Sequence, residues 1–173
     1  KAHAVAYVLM AYRIAYCKVH HPKHFYASYF TVRATDFDYT HVSKGSHYIK
    51  NFIKSVYQQG FRASVLDKSI ATYLELANEM IERGYEFEKV DLYKSHPTKF
   101  LITEKGLRPP LASLAGVGNN AALSIAEARD VNNPFISRED LRQRAGIGKA
   151  VIERLADVGV LDDLPESNQI DLF

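Results

Sequence analysis

The chain has one cysteine, Cys17, in 173 residues. No internal disulfide can staple such a chain, and a reducing compartment is expected. No apolar run approaches the roughly 20 residues that cross a bilayer. No signal-peptide pattern precedes the first helical stretch, so no membrane partner is expected. Residues 1–35 lack any Asp or Glu while carrying Lys1, Arg13, Lys18, Lys23 and Arg33. Residues 157–173 lack any Lys or Arg while carrying Asp157, Asp162, Asp163, Glu166 and Asp171. The net charge of +2 hides this split. One end can approach a polyanion and the other is repelled by it, so the acidic end needs a partner other than DNA or RNA. Apolar residues make up 47%, which excludes a disordered or collagen-like chain. The length suits one medium domain or two small ones, with a real core. The chain opens on Lys1 in mid-pattern without an initiator Met, and is expected to be a piece of a longer protein.

The most informative stretch is Leu114-Ala-Gly116-Val117-Gly118-Asn119-Asn120, which runs into a helical pattern through Ala122 and Ile125. Two glycines flanking one apolar residue permit a turn too tight for residues with a Cβ. Such a turn aims successive N–H groups outward at a helix start, which is a ready anion site. Val117 is expected to point the other way, into the core. The pattern returns about thirty residues later as Ala145-Gly146-Ile147-Gly148-Lys149, with Ile152 and Leu155 at the offsets of Ala122 and Ile125. Both stretches resemble a helix-hairpin-helix, a module that grips duplex backbone phosphates without reading bases. The alternative for the same residues is a Gly-rich interhelical turn with no ligand. Arg138, Arg142, Arg144, Lys149 and Arg154 supply cations nearby, or pair with Glu139, Asp140 and Glu153 on a solvated face.

The rest of the chain reads as helices and a small hairpin. Residues 2–20 form one helix with Val5, Val8, Leu9, Tyr12 and Tyr16 on one face. The other face, with Tyr7, Met10 and Ile14, is also apolar, so the helix is expected to be covered on both sides. Pro22 opens the next helix, Lys23 to Thr31. His20 and His24 are four apart, but Pro22 interrupts the helix that would align them and no carboxylate or Cys lies close, so no metal is expected there. Residues 36–48 read as a loop. Helices follow over Ser46–Gln59, stopped by Gly60, and Asp67–Arg83, stopped by Gly84. Lys99–Thr103 and Leu107–Leu111 read as a hairpin, with a third short strand near Phe87–Leu92. Pro109 and Pro110 confine the last strand to an edge. Ser137-Arg-Glu-Asp140 resembles a capping box opening a short helix. The fold class expected is therefore mainly α with a small antiparallel β element.

Three stretches share a wider resemblance. Lys1 to Lys18, followed by His20-His21-Pro22, is similar to the fingers region of C-family replicative DNA polymerases, of the Gram-positive PolC type of the polymerase III alpha subunit. Val90-Asp-Leu-Tyr-Lys-Ser95 through Gly118 resembles that family's passage from fingers into its duplex-binding domain. The ending Gln169-Ile170-Asp171-Leu172-Phe173 is similar to its sliding-clamp-binding pentapeptide. The resemblance implies fingers over 1–110, a tandem helix-hairpin-helix domain over 111–164, and a tail over 165–173 with the clamp motif.

It further implies Lys1, His3 and Arg13 as nucleotide-binding candidates, with Arg13 and Lys18 also open to template phosphate. An ammonium and an imidazole suit a leaving pyrophosphate. The alternative for His3 is a satisfied histidine between helices. The duplex backbone would be held by Gly116, Val117, Gly118, Asn119 and Asn120 and by Gly146, Ile147, Gly148 and Lys149. Asn119 and Asn120 stand where a basic residue is common, so the first turn relies on its amides and Lys149 makes the second the stronger contact. Expected partners are primer–template duplex, an incoming dNTP, the sliding clamp and other replisome subunits. The two Mg²⁺ ions of such an enzyme belong to palm carboxylates that would lie before Lys1, so no cofactor and no catalytic residue is expected within 1–173. The competing reading is a non-enzymatic helix-hairpin-helix adaptor that recruits a clamp, and a third is a helical protein-interaction module.

Overall fold

A computed structural model describes residues 2–167. Among them are eight α-helices and a three-stranded sheet. Helix α1 (Ala2–His20) leads into α2 (Pro22–Val32), with Pro22 in the first turn, where its missing N–H costs nothing. The segment expected to be a loop contains one helical turn, α3 (Tyr39–Val42), because the Asp38 side chain accepts from the Thr40 N–H and caps it. Helices α4 (Gly45–Gln59) and α5 (Val65–Glu82) pack against each other as an antiparallel pair. Ile49 and Val56 of α4 and Ile70, Leu74 and Ala77 of α5 are buried, as their spacing predicts. Gly60 closes α4 at φ +55°, and Ser64 caps α5 by accepting from the Asp67 N–H.

The sheet consists of β1 (Glu86–Phe87), β2 (Leu101–Ile102) and β3 (Gly106–Arg108), in the order β1-β3-β2. β2 and β3 form the expected antiparallel hairpin, with Ile102 opposite Leu107. β1 joins β3 in parallel, so the sheet is mixed rather than wholly antiparallel. β3 is central and not an edge strand, because it ends at Arg108, before Pro109 and Pro110 can remove a ladder donor. Gly106 makes this pairing possible: a Cβ there would stand 2.2 Å from the Glu86 carbonyl oxygen.

A 3-10 turn, Leu111–Ser113, passes the chain to α6 (Asn119–Ala128), α7 (Arg138–Ala145) and α8 (Lys149–Asp157). Most buried residues between Tyr26 and Leu161 belong to one connected cluster, so the sheet and the last three helices share a core with α2 and α5, while Val56, Ala63 and Ala71 form a small second cluster. Helix α1 stands apart from it. None of its described residues is buried, and Val8 and Tyr12 are 69% and 72% exposed on the face expected to be covered. Its polar ties lie at its C-terminal end, where Lys18 Nζ meets Glu79 at 2.6 Å and Arg83 donates to the Lys18 carbonyl. The N-terminal turns extend beyond the body that those ties anchor.

Candidate nucleic-acid interface

Both glycine turns have the geometry expected of a hairpin that presents amides. In the first, Gly116 takes φ +88°, Val117 is buried, and the Val117 N–H bonds back to the Leu114 carbonyl at 2.9 Å. In the second, Gly146 takes φ +61°, Ile147 is buried, and its N–H bonds to the Arg142 carbonyl at 3.2 Å. One glycine of each pair is thus held in the left-handed region. Gly118 and Gly148 are different. They sit at φ −69° and −73° as the N-caps of α6 and α8, in a conformation open to any residue. Their value lies in the side chain they lack.

Helices α2 and α4, like α6 and α8, lack a side-chain cap bond, but His21 and Lys44 stand at the caps of α2 and α4, whereas α6 and α8 start on a glycine. The first turn of any helix leaves N–H groups with no intrahelical acceptor. In α3, α5 and α7 the cap side chains of Asp38, Ser64 and Ser137 accept from one of them. The start of α7 is further closed by chain, because the N–H groups of Arg138 and Glu139 donate to the carbonyls of Pro165 and Glu166. Helices α6 and α8 have no side-chain cap bond. Gly116, Gly118, Asn119 and Asn120 are exposed, as are Gly146, Gly148 and Lys149. Two helix starts therefore present uncovered amides at a positive dipole end. Behind them Val117, Ala122 and Ile125, and in the repeat Ile147, Ile152 and Leu155, are all buried, so the internal repeat holds in three dimensions.

The nearby cations divide into two groups. Arg138 and Arg144 turn inward. Arg138 donates to the carbonyls of Leu161 and Leu164, and Arg144 to those of Ala128 and Asn133, while its guanidinium lies 4.5 Å from the Phe135 ring centroid. Arg154 donates to the Ala115 carbonyl at 2.8 Å and links the helix of the second hairpin to the loop of the first. Lys149, with an 81% exposed side chain, makes only a surface ion pair with Glu153 at 3.5 Å. Arg142 is exposed and has no side-chain partner among the described residues. Lys149 and Arg142 remain available to a phosphate. Arg144 also pairs with Asp140 at 3.3 Å, one of the pairings the sequence offered, but the bonds of Arg138, Arg144 and Arg154 to backbone carbonyls 11 to 39 residues away were not legible there.

On α1, His3 is exposed and meets the Tyr7 ring edge-on at 4.5 Å. It is not held between helices. Arg13 follows ten residues later, about 15 Å along the axis. Lys18 is engaged by Glu79, which also accepts from Tyr26. Burial alone would push the Glu79 carboxyl up, but the hydrogen bonds from Lys18 and Tyr26 outweigh it and hold it below the usual range. Lys18 is thus a strut of the fold. Lys1 and Gln169 to Phe173 lie outside the described residues. No group of three or more His, Cys, Asp or Glu among the described residues is placed to hold a metal. No described helix is long and apolar enough to cross a membrane.

Comparison with known proteins agrees with this geometry. The helix-hairpin-helix motif family matches residues 84–170, about half of the chain. Over all 173 residues the chain is 56% identical to the DNA polymerase III PolC-type of Halalkalibacterium halodurans, 54% to that of Clostridium perfringens and 51% to that of Bacillus subtilis. It spans 12% of the length of each of these relatives. The chain belongs to the helix-hairpin-helix motif family and is, throughout its length, homologous to a region of the PolC-type DNA polymerase III.

Proposed function

We propose that this chain serves a replicative polymerase as the passage from its nucleotide-binding fingers to the primer–template duplex, with a tether to the sliding clamp at its end. The reading rests above all on the paired, side-chain-free helix starts of α6 and α8. Phosphates of the duplex accept from the amides at Gly118–Asn120 and Gly148–Lys149, and Lys149 and Arg142 add charge. Because amides and phosphates carry no base information, the grip is independent of sequence. The Arg154 link to Ala115 holds the two starts at a fixed spacing.

Lys1 and His3 face the triphosphate of the incoming dNTP. Arg13, about 15 Å further along α1, suits a different phosphate. The Mg²⁺ ions of the reaction are held by carboxylates from elsewhere in the polymerase, so the chain by itself binds DNA without extending a primer. Gln169, Ile170, Asp171, Leu172 and Phe173 dock on the clamp ring, with the apolar side chains of Ile170, Leu172 and Phe173 each worth roughly 1.5–3 kcal/mol before ordering costs. The work takes place in the cytoplasm at the nucleoid, among the other replisome subunits.

The test is equilibrium binding of labelled duplexes of unrelated sequence over a salt series. Equal affinities that fall together with salt support the reading. Affinity that depends on base sequence, or none at all, opposes it. Deletion of residues 169–173 should abolish clamp association while leaving duplex binding unchanged, and intact clamp affinity would remove the tether.

A further inference from the structure

Helices α1 and α2 enclose a groove of about 980 Å³ at the other end of the molecule from the acidic segment in sequence. Its lining includes Arg13 and Arg33, the rings of His21, His24, Phe25 and Tyr29, and no carboxylate. The nearest acidic residue in sequence is Asp36, beyond both helices. Phe25 and Tyr29, one turn apart on α2, are half-buried and near-parallel, with centroids 6.4 Å apart and planes at 28°. Both pack against the core, and Lys18 Nζ lies 5.5 Å from the Phe25 ring centroid. His21 and His24 meet edge-on at 6.1 Å beside them.

The two arginines differ from most cations of the fold. Lys18 and Lys23, on the same two helices, are bound to Glu79 and to the carbonyls of Thr103 and Glu104. Arg13 and Arg33 are exposed and have no side-chain partner among the described residues. A concave surface with flat aromatic faces, two unpaired guanidinium groups and no negative charge is complementary to a chain of flat bases joined by phosphates. A duplex keeps its bases stacked on each other and cannot offer them to such a surface. A single strand can.

We propose that the α1–α2 groove binds single-stranded nucleic acid, with bases against Phe25 and Tyr29 and phosphates on Arg13 and Arg33. The site is separate from the hairpins. It rests on the proposed polymerase role only in identifying that strand as the unpaired template beyond the primer end.

The experiment measures fluorescence anisotropy of a labelled oligothymidine of about ten nucleotides, and separately of a blunt duplex, with the intact chain over a salt series. Arg13→Ala/Arg33→Ala should weaken single-strand binding at least tenfold and leave duplex binding within twofold. For two phosphate contacts, the slope of log affinity against log salt should become shallower by about 1.4. Tyr29→Leu should weaken single-strand binding several-fold with the slope unchanged, because it removes a stacking face and no charge. Circular dichroism and thermal melting confirm that each variant keeps its fold; Arg13→Lys/Arg33→Lys, which keeps the charge, should restore most of the affinity. Unchanged single-strand affinity in both the arginine and tyrosine variants would overturn the proposal. So would equal competition by inorganic polyphosphate, or parallel loss of duplex and single-strand binding. Hairpin variants that lose only duplex binding bear on the polymerase role and leave the groove standing.

Discussion

Arg154 Nε donates to the carbonyl oxygen of Ala115 across 2.8 Å, and this bond between residues 39 apart in the chain joins the two hairpins. It runs from the helix that the second glycine pair opens to the loop that the first pair closes. For the proposed duplex grip the expected consequence is mechanical, with two anion sites held at a fixed span. Arg154→Leu keeps the aliphatic bulk of the side chain and removes the bond. Duplex affinity should fall several-fold, and stability by about 1 kcal/mol. A urea titration beside a duplex-binding isotherm checks both, and a loss of stability without a loss of affinity would mean that the spacing does not matter.

Two glycines should respond to alanine for different reasons. Gly116 sits at φ +88°, and a Cβ there would make only ordinary contact, 3.7 Å from the Arg154 side chain, so Gly116→Ala meets backbone strain of roughly 1–2 kcal/mol. Gly106→Ala fails by a clash with the Glu86 backbone, and should destabilise the sheet by about 1–3 kcal/mol. Thermal melts of the two variants rank these costs. A neutral Gly106→Ala would contradict the parallel pairing of β1 with β3.

Lys149 is the most available cation of the second hairpin. Lys149→Ala should reduce the slope of log affinity against log salt by about 0.9, as loss of one phosphate contact on B-DNA requires. Stability should stay nearly constant, because the ion pair with Glu153 is exposed. An unchanged slope would place Lys149 away from the duplex.

Glu79 ties α1, α2 and α5 together through Lys18, Tyr26 and Arg83. Its folded-state pKa is depressed: burial, the largest single effect, pushes it up, but the hydrogen bonds from Lys18 and Tyr26 and the charges of Lys18 and Arg83 together outweigh it. Its contribution to stability is therefore complete above the ordinary glutamate range and disappears as pH falls through the lower folded value. Glu79→Gln should flatten the acid side of the stability profile. It should also weaken the hold on the end of α1. Parallel profiles for the two proteins would show that the carboxylate is not the anchor.

The hairpins were legible because their information is local: two glycines, one apolar residue between them, and apolar residues four and seven positions beyond the second. The same holds for Gly60, which ends α4. The parallel strand pair was not legible, since Glu86 meets Gly106 only after a twenty-residue excursion. The described residues leave α1 without the cover that the apolar composition of both its faces calls for. Arg138 and Arg144 read either as phosphate contacts or as partners of nearby carboxylates; Arg144 does pair with Asp140, and both also donate to backbone carbonyls, which local sequence does not show. The groove between α1 and α2 leaves no local signal, because Arg13 and Arg33 are twenty residues apart and meet only when Pro22 folds one helix back on the other.

The most direct test fills the two empty caps. Gly118→Asp/Gly148→Asp places a carboxylate at backbone angles that accept it, with open space around both positions. An aspartate N-cap satisfies the first-turn amides and stabilises each helix by a few tenths to about 1 kcal/mol. It also occupies the groups offered to phosphate and adds repulsion. The melting temperature should therefore rise while duplex affinity falls at least tenfold. A more stable protein that still binds duplex with unchanged affinity would contradict the amide grip.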